Sequence, residues 1–238
     1  MNMFAIGDIH GCLDELTSLH KKIFTHDKFD VKNDLIIYLG DYIDRGKNSK
    51  EVINQILKLK NNKIKTVNLM GNHDEFMIDF LFNNKNNIEN WLNFGLDQTI
   101  RSYGIEVVDF IKDGFGDDII DQLRNRLLST MSEEHINFFK GLELSFSSEN
   151  YLFVHAGIDP RKKLTEQAKE DYLWSRSDIF FDKNFKAEKI IVHGHTPEEN
   201  IVNYPFRINI DTGCFFSGKL SCVCLNDKNN HREFIETV

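Results

Sequence analysis

Three stretches decide the fold: Met3-Phe4-Ala5-Ile6-Gly7-Asp8-Ile9-His10-Gly11, Leu35-Ile36-Ile37-Tyr38-Leu39-Gly40-Asp41-Tyr42-Ile43-Asp44-Arg45-Gly46 and Val67-Asn68-Leu69-Met70-Gly71-Asn72-His73-Asp74. Each is a short apolar run, a glycine, then an acid or an amide. Helical spacing fills the gaps between them, roughly Leu13 to Phe24 and Lys50 to Lys60, the latter with a Val52/Ile53/Ile56/Leu57 stripe. Strand–helix–strand alternation predicts a βαβαβ unit with a parallel sheet.

Outward from that unit, Glu75 to Lys140 reads as mostly helical. Trp91-Leu92 and Leu127/Leu128 fit helix faces, and Ser132-Glu133-Glu134 fits a helix start. Asn83 to Asn87 reads as an exposed polar loop. Strand patterns return at Tyr151–Val154, Lys189–Val192, Arg207–Ile210, Leu220–Leu225 and Glu233–Thr237. Cys214 to Lys219, with Gly218, reads as a hairpin turn, which points to an antiparallel or mixed second sheet. The expectation is one α/β domain over residues 1–238.

A net charge of −8 without a dense basic run argues against a binder of duplex nucleic acid. The longest apolar runs are strand-sized, which predicts no membrane span, and the N-terminus lacks the pattern of a secretory leader. Cys12, Cys214, Cys222 and Cys224 have neither zinc-type spacing nor a disulfide framework. Reduced, largely core cysteines predict the cytoplasm, with Cys222 and Cys224 on one face of a strand.

The chemistry gathers at the strand ends. If Asp8 and His10 continue an extended chain, their side chains point the same way, at the strand end where open α/β sheets place ligands. By itself this tripeptide reads first as a turn Asp and a solvated His. Asp41 can serve two cations through its two oxygens, and Arg45 offers a fork that matches phosphate. Asn72 and His73 follow the third apolar run, His155 the next, and His193 and His195 the one after. Histidine at so many strand–turn junctions is hard to attribute to structure alone; His20, His26, His135 and His231 lie in helical or polar contexts and read as structural. Oxygen and imidazole donors without thiolate favour Mn, Fe or Zn.

The ordered set Gly7-Asp8-Ile9-His10-Gly11, Gly40-Asp41-Tyr42-Ile43-Asp44-Arg45-Gly46, Gly71-Asn72-His73-Asp74, Val154-His155-Ala156-Gly157 and His193-Gly194-His195-Thr196 resembles the metallophosphoesterases of the PPP serine/threonine phosphatase type. It is similar to their bacterial and phage-lambda branch, which is related to the symmetrical diadenosine tetraphosphatases. Ile208-Asn209-Ile210-Asp211-Thr212-Gly213-Cys214 and Gly218-Lys219-Leu220 resemble the family's C-terminal strand pair, so the likeness spans nearly the whole chain.

The resemblance implies a four-layer αββα sandwich with mixed sheets and two divalent metal ions, with Mn first and Fe or Zn as substitutes. It implies Asp8, His10 and Asp41 on one ion, and Asp41, Asn72, His155 and His195 on the other. His73 would be the general acid, paired with Asp44. Arg45, Asn72 and, by the Trp174-Ser175-Arg176 pattern, Arg176 would hold phosphate, while His193 would either support the site from behind or be structural. Asp74 stands where the family commonly has Glu. Trp91-Leu92-Asn93-Phe94-Gly95, Thr99 and Ser102-Tyr103-Gly104 resemble a lambda-type pattern in which Phe94 replaces a glycine.

The implied activity is one-step hydrolysis of a phosphate ester by hydroxide held on the ions. The first expectation for substrate is a phosphorylated protein or a small phosphomonoester. The alternative is symmetrical bis(5'-nucleosyl)-tetraphosphate hydrolysis; the Arg161-Lys162-Lys163 cluster reads first as a solvated loop and second as a site for distal phosphates. A phosphate binder without turnover would lack a ligand, and none is missing. The sequence carries no expectation of oligomeric state.

Overall fold

The computed structural model describes residues 1–83, 88–111, 116–228 and 231–238. The expected loop at Asn83–Asn87 therefore lies, beyond Asn83, outside the described residues.

The strands are β1 (Met3–Ile6), β2 (Leu35–Tyr38), β3 (Lys65–Asn68), β4 (Ser145–Ser147), β5 (Tyr151–Val154), β6 (Ile190–His193), β7 (Val202–Asn203), β8 (Arg207–Asn209), β9 (Ser221–Leu225) and β10 (Arg232–Glu236). The α-helices are α1 (Leu13–Phe24), α2 (Ser49–Asn61), α3 (Asn72–Phe82), α4 (Ile88–Leu92), α5 (Leu96–Ser102), α6 (Val108–Ile111), α7 (Asp117–Thr130), α8 (Glu133–Lys140), α9 (Lys169–Trp174), α10 (Asp178–Phe181) and α11 (Cys214–Ser217). Ser132 caps α8 as its sequence predicts, accepting from the His135 N–H at 3.3 Å. The first sheet runs β10-β9-β1-β2-β3 and the second β4-β5-β6-β8-β7. The core of each is parallel, β1–β2–β3 and β5–β6–β8, with antiparallel strands at its flanks.

Side-chain alternation sorts the layers. Along β1, Met3 and Ala5 pack between the sheets with Tyr151, Phe153, Val192 and Ile208. Phe4 and Ile6 face the other way, into the core under α1 and α2. On β5, Leu152 and Val154 meet Phe180 and Phe185 on the outer side. Strands buried on both faces thus read as unbroken apolar runs, as parallel strands do. Each fully buried Leu, Ile or Phe contributes roughly 1.5–3 kcal/mol by leaving water. The result is the expected arrangement of two mixed sheets face to face with helices outside.

Two local expectations need correction. Cys214–Lys219 is no hairpin: Cys214–Ser217 is a short helix, closed by Gly218 at φ 69°, that carries the chain from β8 in one sheet to β9 in the other. The last two strands therefore complete the first sheet, with β9 pairing antiparallel to β1. A period-2 pattern gives a strand's faces but not its partner, so the sheet assignment was open to this error. Nor do Asp8 and His10 continue an extended chain, because His10 has φ 46° and turns it. Cys222 and Cys224 do share the helix-side face of β9. All four cysteines are free thiols, and among the described residues no helix is long and apolar enough to cross a membrane.

Candidate active site

Six parallel strands end at one place, and each delivers a polar residue there: Asp8 after β1, Asp41 after β2, Asn72 after β3, His155 after β5, His195 after β6 and Asp211 after β8. All six are buried. The turns that aim them are strained. His10, Asp41, Asp44, Arg45 and His195 take positive φ values of 46°, 52°, 70°, 64° and 67°. Such backbone costs on the order of 1–3 kcal/mol per residue and collects at functional sites. Gly194 is required for a different reason: a Cβ there would lie 2.0 Å from Asp8 Oδ1.

Hydrogen bonding on the far side of each ring fixes what it shows the centre. His10 donates from Nδ1 to the Ile43 carbonyl at 2.8 Å, and His155 from Nδ1 to the Leu39 carbonyl at 2.9 Å. Their Nε2 lone pairs then face acceptors. His10 Nε2 lies 3.3 Å and His155 Nε2 3.6 Å from the same Asp41 Oδ2. His155 Nε2 also lies 2.9 Å from Asn72 Oδ1, which is 2.8 Å from His195 Nδ1. Asp8 Oδ2 accepts from the His195 N–H at 3.0 Å, while Asp8 Oδ1 is buried with no partner.

Converging lone pairs need a cation, and protonation of His10, His155 or His195 does not supply it. Burial lowers the pKa of His10 and His155, and pushes His195 down to about 2. Burial, then the charges of Asp211 and Asp41, raise Asp8 well above the usual carboxylate range. Asp211 is pushed up to about 6, first by burial. Burial would raise Asp41 too, but His155, His73 and His10 outweigh it and hold it low. Two groups of potential ligand atoms, His10–Asp41–His73 and Asp8–Asp41–His155, each converge within 4.8 Å and share Asp41. The residues present thus fit divalent ions, with one carboxylate placed between two clusters.

Beside this centre, His73 Nδ1 is 2.7 Å from Asp44 Oδ2. The same oxygen accepts from Trp91 Nε1 at 2.5 Å, and Asp44 Oδ1 accepts from Thr99 Oγ1 at 2.6 Å. Burial alone would lower the His73 pKa, but the charges of Asp41 and Asp44 reverse that and the net shift is upward. An Arg45 guanidinium nitrogen lies 3.3 Å from His73 Nε2, and its carbon sits 4.5 Å from the centre of the Phe215 ring. Arg176 Nε lies 3.3 Å from His195 Nε2. Asp74 is buried and accepts from the N–H groups of Gly71 and Asp41, both at 2.8 Å, so it closes the start of α3 and ties it to the β2 loop.

His193 does not join the centre. It is buried between Phe180 and Phe181, accepts from Arg207 at 3.2 Å, and burial lowers it to about 3. The basic cluster is spent on its own loop: Arg161 pairs with Asp159 at 2.9 Å, Lys162 with Asp171 at 2.6 Å, and Lys163 lies 3.9 Å from Glu166. His20 and His135 bond to Tyr38 and Tyr103 inside the helical layer, and His26 lies 3.1 Å from Glu233.

Sequence reasoning gave no site role to Asp211, Trp91, Thr99 or Phe215. Asp211 had a readable signal, since it follows an apolar strand as Asp8 and Asp41 do. Trp91 and Thr99 reach Asp44 only through tertiary packing of α4 and α5.

Two packed mixed sheets, with a buried acid–imidazole–amide centre at their parallel strand ends, define a metallophosphoesterase. The chain belongs to the calcineurin-like phosphoesterase family, whose model matches residues 1–225. It is therefore a metal-dependent phosphoesterase. It is 27% identical to an asymmetrical bis(5'-nucleosyl)-tetraphosphatase of Oceanobacillus iheyensis, over 96% of this chain and 90% of that one. It is also 27% identical to a symmetrical bis(5'-nucleosyl)-tetraphosphatase of Buchnera aphidicola, covering 96% of each. A protein serine/threonine phosphatase from Saccharomyces cerevisiae shares the fold, with a TM-score of 0.60 at 15% identity, over 99% of this chain and 79% of that one.

Proposed function

We propose that this protein hydrolyses bis(5'-nucleosyl) tetraphosphates, with two divalent ions, Mn first, in a reducing cytoplasm. The carrying observation is the likeness to tetraphosphatases over nearly the full length of both chains. It reverses the order of the two expectations from sequence, because the serine/threonine phosphatase reading is supported by likeness of fold at low identity.

Asp8, His10 and Asp41 would hold one ion, and Asp41, Asn72, His155 and His195 the other. Bound there, the ions would supply Lewis acidity and lower the pKa of a water ligand. The chain's own groups do the rest. Arg45 and Arg176, on the His73 and His195 sides of the centre, neutralise non-bridging phosphate oxygens, and the Asn72 amide helps seat them. His73, held through Nδ1 by Asp44, gives the proton on Nε2 to the departing oxygen. As phosphate draws Arg45 onto itself, that nitrogen is freed for the leaving group. The Arg161–Lys163 cluster has no part in this reading, being paired within its loop.

The test is kcat/KM of the Mn-loaded enzyme for diadenosine tetraphosphate against a phosphothreonine peptide. A ratio above about ten, equivalent to ~1.4 kcal/mol of transition-state preference, supports the reading. A ratio below one returns the protein to the phosphomonoesterases. Chromatography of the products, two ADP or ATP plus AMP, reports which phosphorus is attacked.

A further inference from the structure

A wall of aromatic side chains flanks the centre on the side of the proton donor. The Phe94 ring centre is 6.0 Å from that of His73, at 79°. Beside it Phe76 lies nearly parallel, at 6.3 Å and 10°, with its own ring centre 6.5 Å from that of His73. Trp174 meets Phe76 edge-on at 5.6 Å and lies 6.0 Å from His195. The wall thus runs from His73 to the imidazole on the opposite flank. Its two ends stand clear of the core, Phe94 at 45% exposed and Trp174 at 41%, while Phe76 between them packs against it.

Phe94 is held firmly, although its ring meets solvent. Its N–H donates to the Trp91 carbonyl at 2.9 Å. The next residue, Gly95, sits at φ 96°, where a Cβ would come within 2.5 Å of the Arg45 nitrogen, and its carbonyl accepts from the Arg45 N–H at 3.4 Å. The Phe94 backbone is therefore keyed to the same loop that carries Arg45. The lambda-type pattern that this stretch resembles has glycine at this position.

From this we infer that Phe94, backed by Phe76 and Trp174, is the subsite for the nucleobase of the departing nucleotide. The inference rests on the dinucleotide reading above and names what holds the substrate's uncharged end. His73 faces the leaving oxygen, so the phosphate and ribose attached to that oxygen pass His73 and carry their base to the Phe94 side. A serine or threonine has no ring to offer there. A purine does, and it continues the Phe76–Phe94 stack on its open face, as bases do on aromatic platforms. The other exposed pair serves differently: the face of Phe215 is already taken by the Arg45 guanidinium, and Phe216 lies edge-on to Phe215 at 88°.

The experiment is calorimetric titration of the Mn-loaded protein with AMP and with ribose 5-phosphate, which differ by the base alone. Wild type is expected to bind AMP about tenfold more tightly, the lower part of the range for one base on an aromatic ring. The ratio should fall to near one in Phe94→Gly and in Phe94→Leu, which keeps an apolar side chain without a planar face, and persist in Phe94→Trp. Equal affinities in wild type, a ratio unchanged in both Phe94→Gly and Phe94→Leu, or a ratio that collapses in Phe216→Ala instead would each overturn the assignment. Turnover of diadenosine tetraphosphate is measured separately. Its absence beside an intact AMP preference would sink the dinucleotide reading and leave the subsite standing.

Discussion

Asp44→Asn separates proton donation from folding. The carboxylate receives His73 Nδ1 and Trp91 Nε1 on one oxygen and Thr99 Oγ1 on the other, at 2.7, 2.5 and 2.6 Å. An asparagine can turn its carbonyl to the first two and its amide to the Thr99 oxygen, so every bond is remade and only the charge is lost. A hydrogen bond to a charged group contributes ~1.5–3 kcal/mol. Losing that support for a protonated His73 lowers kcat by roughly ten- to a hundredfold where the leaving group needs a proton. The assay compares β-glycerol phosphate with p-nitrophenyl phosphate, whose leaving group departs as an anion. Asp44→Asn should reduce the first far more than the second. Charge helps hold the His73 pKa above its ordinary value, so the loss of activity on the alkaline side should move to lower pH in the variant. Asp44→Ala, which strands the His73 and Trp91 donors, should also destabilise the fold by about 2–6 kcal/mol, read by urea unfolding. Equal losses on both esters, with no movement of the pH profile, would refute the role of the pair.

Asp41→Asn should abolish the rise in melting temperature that Mn²⁺ gives the wild type, because the carboxylate faces both clusters; substitutions at His26 or His231 should leave that rise in place. In chelator-treated protein, Asp211 keeps its proton to about pH 6 when folded, so its contribution to stability is greatest in acid and is lost as pH rises through 4 to 6. The melting-temperature difference between wild type and Asp211→Asn should follow that course, and a difference that is flat with pH would count against it. Replacing Arg161, Lys162 and Lys163 together by Gln should leave kcat/KM for diadenosine tetraphosphate within about twofold, since exposed ion pairs of this kind contribute little; a selective loss would bring the cluster back into the substrate path.

The strands and helices near the N-terminus were legible because β1 and β2 are buried on both faces and each of the first three strands is followed within three residues by a glycine and then a polar residue. Leu13–Phe24 and Met3–Ile6 match the expectation end to end. The converging residues were legible for the same reason, since the local grammar marks a strand end and the resemblance orders the ends. Partnership was not legible. Nothing local to Ser221–Leu225 distinguishes pairing with β1 from pairing with β8, and the turn before it is a helix that a glycine and two aromatics resemble only weakly. His10 was misjudged in conformation because a positive φ, though histidine takes it more readily than most residues, is selected here by the fold, with the ring bonded to the Ile43 carbonyl 33 residues away. The Asp44 cradle was missed because Trp91 and Thr99 are 47 and 55 residues away along the chain.

The placement of β9 beside β1 has a consequence during synthesis. Met3–Ile6 pairs on one side with a strand that ends at residue 38 and on the other with one that begins at residue 221. A ribosome adding 5–20 residues per second leaves that second flank of β1 open for roughly ten to forty seconds. Through that interval the nascent chain displays an apolar ribbon with free N–H and C=O groups along a parallel edge, the kind of template that invites strand addition from other chains. The stretch around Phe4 is thus where holdase chaperones would be needed most, and where a cell short of them would see this protein aggregate first.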